Sequence, residues 1–186
     1  MIRMPTTIYI MGPSSTGKTT LCNALALKLG VPKEAYVTEV ARQVMKETGF
    51  SRDTIGSLEM QKAIMEAHFR REEVLDENQV TACISLFDCS TDDSEAQTRK
   101  ESLIAADKFK KALLEKYRSP NSVVVLLKPV KEWVQDDGVR SLEDLETCLS
   151  IFKALLDELR VQYWEFGEDE KRLEERVVRV MGFARL

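Results

Sequence analysis

Between residues 12 and 19 the chain reads Gly12-Pro13-Ser14-Ser15-Thr16-Gly17-Lys18-Thr19, the GxxxxGK[ST] spacing that lets a backbone wrap an anion. Glycine at 12 and 17 permits positive φ and close approach, so the amides of Ser14, Ser15, Thr16 and onward to Thr20 can curl around phosphate oxygens. A helix opening near Lys18 adds the positive end of its dipole. Lys18 would bring a mobile point charge to the β- and γ-phosphates, and Thr19 a hydroxyl for Mg²⁺; ATP with Mg²⁺ is the ligand pair that this chemistry calls for.

The pattern carries that meaning only between a strand and a helix. Thr6 to Met11 is β-branched and apolar, which predicts a buried strand, and Lys18 to Leu29 predicts a helix ended by Gly30 with Pro32 beyond. Tyr36-Val37-Thr38 reads as a short second strand before a helix over 39–46. Asp53 or Thr54 can cap a longer helix reaching Gln79, with Met60, Ile64, Ala67, Arg71 and Leu75 along one side. Ala82 to Phe87 predicts a third strand, 95–117 an amphipathic helix, and Val123 to Leu127 a buried fourth strand. A connection over 128–140 leads to a helix over 141–160 opened by Ser141-x-x-Asp144, then a fifth strand over 161–166 and a closing helix over 168–181. Strictly alternating elements without repeats predict one α/β domain over 1–186: a three-layer fold, with a five-stranded parallel sheet covered by helices on both faces. A lid-like segment is expected at about 128–160.

In such sheets ligands gather at the carboxyl ends of the strands, and the remaining candidates are residues that this topology delivers there. Asp88 ends the third strand and is the expected acid that holds Mg²⁺ or takes a proton from the attacking hydroxyl; Asp92 and Asp93 are weaker, being suited to capping the next helix. Glu39 follows the second strand with Arg42 one helical step on; the pair could hold an acceptor by a sugar hydroxyl and an anion, or form a surface ion pair. In Trp133-Val134-Gln135-Asp136-Asp137-Gly138-Val139-Arg140, Trp133 could stack on a flat ring or pack on the core, and Asp137 could meet the substrate. Arg140 could neutralise charge on the moving phosphoryl group. Arg172 and Arg176, one turn apart on the last helix, could approach a nucleotide base, but a solvated face is the favoured reading for them, as it is for Lys100, Lys108, Lys110, Lys111 and Lys116. His68, the single histidine, reads as a packing or surface residue.

At 186 residues, with 44% apolar and 31% charged residues, the chain has the balance of a soluble globular domain, too short for a two-lobed motor. Net charge of −4 gives a long polyanion no general attraction, which disfavours nucleic acid. No 18-residue apolar run spans a membrane, and the first residues lead directly into a strand with no room for a signal peptide, so a cytoplasmic location is expected. Cys22, Cys83, Cys89 and Cys148 form no CxxC, and most read as small apolar fillers. No Asn-Lys-x-Asp run exists to read guanine.

The phosphate loop, Glu39-Val40-Ala41-Arg42, Phe87-Asp88-Cys89-Ser90 with Asp92, and Asp136-Asp137-Gly138-Val139-Arg140 occur in an order that resembles the AAA-type P-loop domains similar to the nicotinamide riboside kinase part of NadR. The resemblance implies a small-molecule kinase with an acid after the third strand and an arginine-bearing lid. Its implied activity is transfer of the γ-phosphoryl group of MgATP to a hydroxyl of a small metabolite, of the nicotinamide riboside type. One departure stands out: related sequences carry Asp-Arg-Ser where this chain has Asp88-Cys89-Ser90, and Arg42 or Arg140 would have to replace that arginine. The departure keeps open an alternative, a nucleotide-binding switch or interaction module with weak or no kinase activity.

Overall fold

The computed structural model describes residues 7–32, 36–51, 58–74, 80–81, 114–133 and 145–185. Asp88, Cys89, Asp137 and Arg140 lie outside them, as do Cys83, Asp92, Asp93, most of the 95–117 helix and the Ser141 cap. The elements in chain order are β1 (Thr7–Met11), α1 (Lys18–Leu29), α2 (Val40–Thr48), α3 (Leu58–Val74), β2 (Val80–Thr81), β3 (Ser122–Leu127), α4 (Leu145–Glu158), β4 (Trp164–Phe166) and α5 (Leu173–Phe183). Single 3₁₀ turns at Lys131–Trp133 and Glu168–Glu170 follow β3 and β4.

The strands form one parallel sheet in the order β2-β1-β3-β4. β1 pairs with β3 over its whole length, Thr7 opposite Ser122 through Met11 opposite Leu126. Side chains alternate across a strand, so a strand buried on both faces must be apolar at every position. β1 and β3 meet that demand. Ile8, Ile10, Val123, Val125 and Leu127 pack with Leu21, Cys22 and Leu25 of α1 and Val177 and Val180 of α5. Tyr9, Met11, Val124 and Leu126 pack on the other face with Tyr117 and with Cys148, Leu149, Phe152 and Leu156 of α4. Three layers result, α1 and α5 on one side and α4 on the other. Cys22 and Cys148 are buried in the two clusters, as apolar fillers should be.

Four strands, not five, make up the sheet among the described residues. The expected strand at Tyr36-Val37-Thr38 does not form. Val37 instead packs with Val40, Ala41 and Val44 of α2 and Met60 and Ile64 of α3, and the carbonyl of Thr38 accepts from Arg71 Nη1 at 3.1 Å. The segment's side-chain burial and the Thr38 carbonyl are thus taken up by the helices α2 and α3 rather than by the sheet. Val80 and Thr81, just before the expected third strand, are paired as β2, and the expected span itself, Ala82 to Phe87, lies outside the described residues.

His68 belongs to packing. It is 2% exposed, and its Nε2 lies 3.0 Å from Glu72 Oε1, while Lys116 Nζ donates to Glu72 Oε2 at 2.7 Å. Lys116 therefore leaves the expected solvated face to tie the helix end at 114–117 to α3. Burial alone would push the Glu72 carboxyl up; the hydrogen bonds and charges of His68 and Lys116 outweigh it and hold the group below its ordinary value of 4.5. A carboxyl lowered in the folded state stabilises the fold above its unfolded pKa and loses that contribution as pH falls through the folded value. Urea unfolding followed from about pH 5 down to about pH 3 should therefore show a steeper loss of stability in the wild type than in Glu72→Gln. Parallel pH profiles would contradict the pairing.

Gly12, at the end of β1, has φ +141°, and a Cβ there would stand 2.4 Å from the carbonyl oxygen of Leu127. Backbone cannot yield as a flexible side chain can, so Gly12→Ala should cost roughly 2–4 kcal/mol of folding stability. At Gly17 (φ +85°) an added Cβ would meet the Trp133 ring at an ordinary 3.6 Å, so Gly17→Ala should cost about 1 kcal/mol, from backbone conformation alone. Thermal or denaturant unfolding of the two variants measures the contrast.

Candidate active site

Three connections leave the carboxyl edge of the sheet beside one another: 12–17 after β1, Lys128 to Trp133 after β3, and Gly167 to Arg172 after β4. β1 is the point where the chain changes direction, since β2 lies on one side of it and β3 on the other. The crevice at such a point is where open α/β sheets bind ligands.

The first connection is the phosphate loop. Gly12, Ser15 and Gly17 all have positive φ, and Gly17 in the left-handed region is the N-cap of α1. This alternation turns successive amides toward a common centre. Thr16 Oγ1 donates to the carbonyl of Pro13 at 2.9 Å and closes the loop on itself. Lys18 is 6% exposed, and its Nζ donates to the carbonyl of Gly12 at 2.8 Å and to that of Pro13. Backbone carbonyls thus hold the ammonium within the loop, where a phosphate could take over the contact.

Glu39 and Arg42 come to the same place. Glu39 is the N-cap of α2 and is held at φ +55°, a conformation rare outside glycine and asparagine. One carboxylate oxygen accepts from Thr19 Oγ1 at 2.7 Å; the other pairs with Arg42 Nε at 3.1 Å. The Glu39–Arg42 ion pair foreseen as a surface alternative exists, but it also bridges to the phosphate loop.

The third wall follows the lesser of the two sequence readings of the last helix. Arg176, read from sequence as part of a solvated face, is 1% exposed. Its guanidinium lies 4.6 Å from the centre of the Trp133 ring and donates to the carbonyls of Gly167, at 3.1 Å, and Glu170. Arg172 does remain in solvent, with a side chain 76% exposed. Leu173, Arg176, Val177 and Val180 fall on one helical stripe, and that apolar spacing was the available signal that position 176 faces inward. Burial lowers the Arg176 pKa, yet an arginine stays charged throughout the accessible pH range. Nearby, Lys171 Nζ pairs with Glu132 Oε1 at 2.6 Å across the mouth; that hydrogen bond holds the Glu132 carboxyl below, and the Lys171 ammonium above, their usual ranges.

These side chains enclose a cavity of about 530 Å³. Among the expected site residues Ser15, Thr16, Gly17, Lys18, Thr19, Thr20, Glu39, Arg42 and Trp133 line it; Gly12 and Ser14 belong to the loop behind its surface. Leu21, Lys171, Leu173 and Arg176 are additions. Its described lining carries four cations, Lys18, Arg42, Lys171 and Arg176, against the single acid Glu39. A chain of net charge −4 therefore concentrates positive charge where a polyanion would sit. No cluster of three His, Cys, Asp or Glu occurs among the described residues. The hydroxyl–carboxylate pair of Thr19 and Glu39 fits Mg²⁺ nonetheless, because that ion binds through hard oxygens and takes most of its shell from water and substrate phosphates. No helix among the described residues is long and apolar enough to cross a membrane.

Comparison with known folds agrees with this geometry. NadR in complex with NR superposes over 98% of this chain, with 17% identity and a TM-score of 0.72; this chain spans 52% of that one. A NadR structure with NAD and AMP-PNP gives 98%, 15% and 0.65, with 50% of its own chain covered. Shikimate kinase from Aquifex aeolicus vf5 superposes over 97% of this chain and 96% of its own, at 19% identity and a TM-score of 0.58. At such identities the likeness is one of fold, that of P-loop small-molecule kinases. None of the curated proteins matches the sequence. The family model of an AAA domain matches residues 7–176, from β1 into α5, and to that P-loop family the chain belongs.

Proposed function

We propose that the protein is a phosphotransferase that moves the γ-phosphoryl group of MgATP to a hydroxyl of a small metabolite, nucleoside-like and of the nicotinamide riboside type. The observation that carries this reading is the bond from Thr19 Oγ1 to Glu39 Oε1 at the lip of the phosphate loop. A carboxylate against the loop hydroxyl serves a triphosphate–metal ligand, whereas a site for a simple anion would gain nothing from a negative charge there. NadR and shikimate kinase neighbours, solved with NR and with shikimate, give the fold a record of small hydroxylic ligands. The cavity volume is also in the range of small-molecule sites.

In this reading the loop amides and Lys18 bind the β- and γ-phosphates, Thr19 and Glu39 hold Mg²⁺, and Trp133 faces the base. Mg²⁺ supplies charge neutralisation to the transferring group. The acceptor oxygen forms a bond to the γ-phosphorus as the bridging bond to ADP breaks, and the hydroxyl proton passes to a carboxylate, for which Asp88 is proposed. Arg42 and Asp137 orient the acceptor, and Arg140 neutralises charge on the moving group. A cytoplasmic setting supplies both substrates.

With MgATP and a panel of nucleosides, sugars and vitamins led by nicotinamide riboside, one acceptor should gain a phosphate as an equal amount of ADP appears. Mass spectrometry identifies the product. Lys18→Ala should lower turnover by about a hundredfold or more, and Glu39→Gln should raise the Mg²⁺ concentration needed for half-maximal ATP binding. Tight nucleotide binding with no phosphorylated product from the whole panel would instead favour a nucleotide-binding switch, the reading motivated by Cys89.

A further inference from the structure

A buried guanidinium is costly unless its lost water is replaced, and a methionine would fill the same space more cheaply. Arg176 replaces that water with an aromatic face and two carbonyls: the ring of Trp133 lines the cavity, and the carbonyls of Gly167 and Glu170 belong to the turn that leads into Lys171 and Leu173, which line it too. Trp133 ends the 3₁₀ turn after β3; Gly167 and Glu170 bound the turn after β4. One buried side chain on α5 therefore ties the end of one connection, at Trp133, to the turn of the other. The indole it holds lies beside Gly17, at the start of α1, so a flat ring stacked there would continue from phosphates in the loop. Leu173 adds an apolar surface to the same cavity.

We propose that Arg176 is the positioning residue for the nucleotide's base: it fixes Trp133 as the stacking wall of a planar-ring site and, through the Gly167–Glu170 turn, the segment that brings Lys171 and Leu173 to that cavity. The inference rests on the nucleotide-binding reading above. Arginine is required because its planar fork can donate to two carbonyls while its face stays against a ring; a lysine offers one compact charge. Arg176 acts through its neighbours, so its removal should weaken recognition of the base and spare recognition of the phosphates.

Calorimetry on the full chain with Mg²⁺ separates the two, using ATP and inorganic tripolyphosphate as probes. Arg176→Met should weaken ATP binding about tenfold and leave tripolyphosphate within about twofold. Trp133→Leu should do the same, and the double variant should be little worse than the weaker single one, because both remove one platform. Should Arg176→Met fail to fold, Arg176→Lys, which keeps the stem and charge, is read the same way. Equal losses for both probes would overturn the inference in favour of direct phosphate contact or general loosening, and so would an unchanged ATP affinity. A wild type that binds tripolyphosphate as tightly as ATP overturns it while sparing the phosphate loop; one that binds neither removes the nucleotide reading along with it.

Discussion

The close passage of Gly12 beneath the carbonyl of Leu127 is the constraint on which the site depends. β1 and β3 lie side by side with both faces covered, so neither can shift register without unseating its side chains from the helices packed on each face. The chain must nevertheless leave β1 abruptly and turn its amides inward. Only a residue without a Cβ can do so against the neighbouring backbone, and the loop's position relative to the sheet is thereby set by the longest strand pairing among the described residues.

From that anchor the site is assembled by ties of decreasing rigidity. Lys18 and Thr16 close the loop on its own carbonyls. Glu39 then joins α2 to the loop through Thr19, held in a left-handed backbone conformation, while Arg71 of α3 holds the preceding carbonyl of Thr38. The outer wall depends on Arg176 and on the exposed Lys171–Glu132 pair. Exposed pairs contribute little on their own, so the buried guanidinium is the stronger of the two. This gradient suits a site that must keep its phosphate-binding centre fixed while admitting a ligand at the mouth.

Local charge, rather than overall charge, gives the cavity its character. The chain carries a net charge of −4, yet four cations meet one carboxylate in the described lining of the crevice. A small polyanion that enters gains their combined attraction in a partly desolvated setting.

Much of this was legible in the residues. The loop, the helix after it and the buried strand at Val123 to Leu127 follow from spacing and apolar runs, because their causes are local: glycine geometry, capping at Gly30 and burial on both faces. What the tertiary structure decided were matters of competition between distant partners. Val37 had the composition of a strand residue but found its burial against α2 and α3, and Arg71 of α3 took the carbonyl of Thr38. Glu39 was placed at the crevice by topology, but its bond to Thr19 depends on a backbone conformation that no local pattern announces. Arg176 looked like one more charge on a surface helix, since charge alone argues for solvent; the ring of Trp133 and two carbonyls from another connection make its burial tolerable. Spacing along the chain can encode a loop that grips phosphate, but the partners that shape the rest of the pocket meet only when the sheet brings its strand ends together.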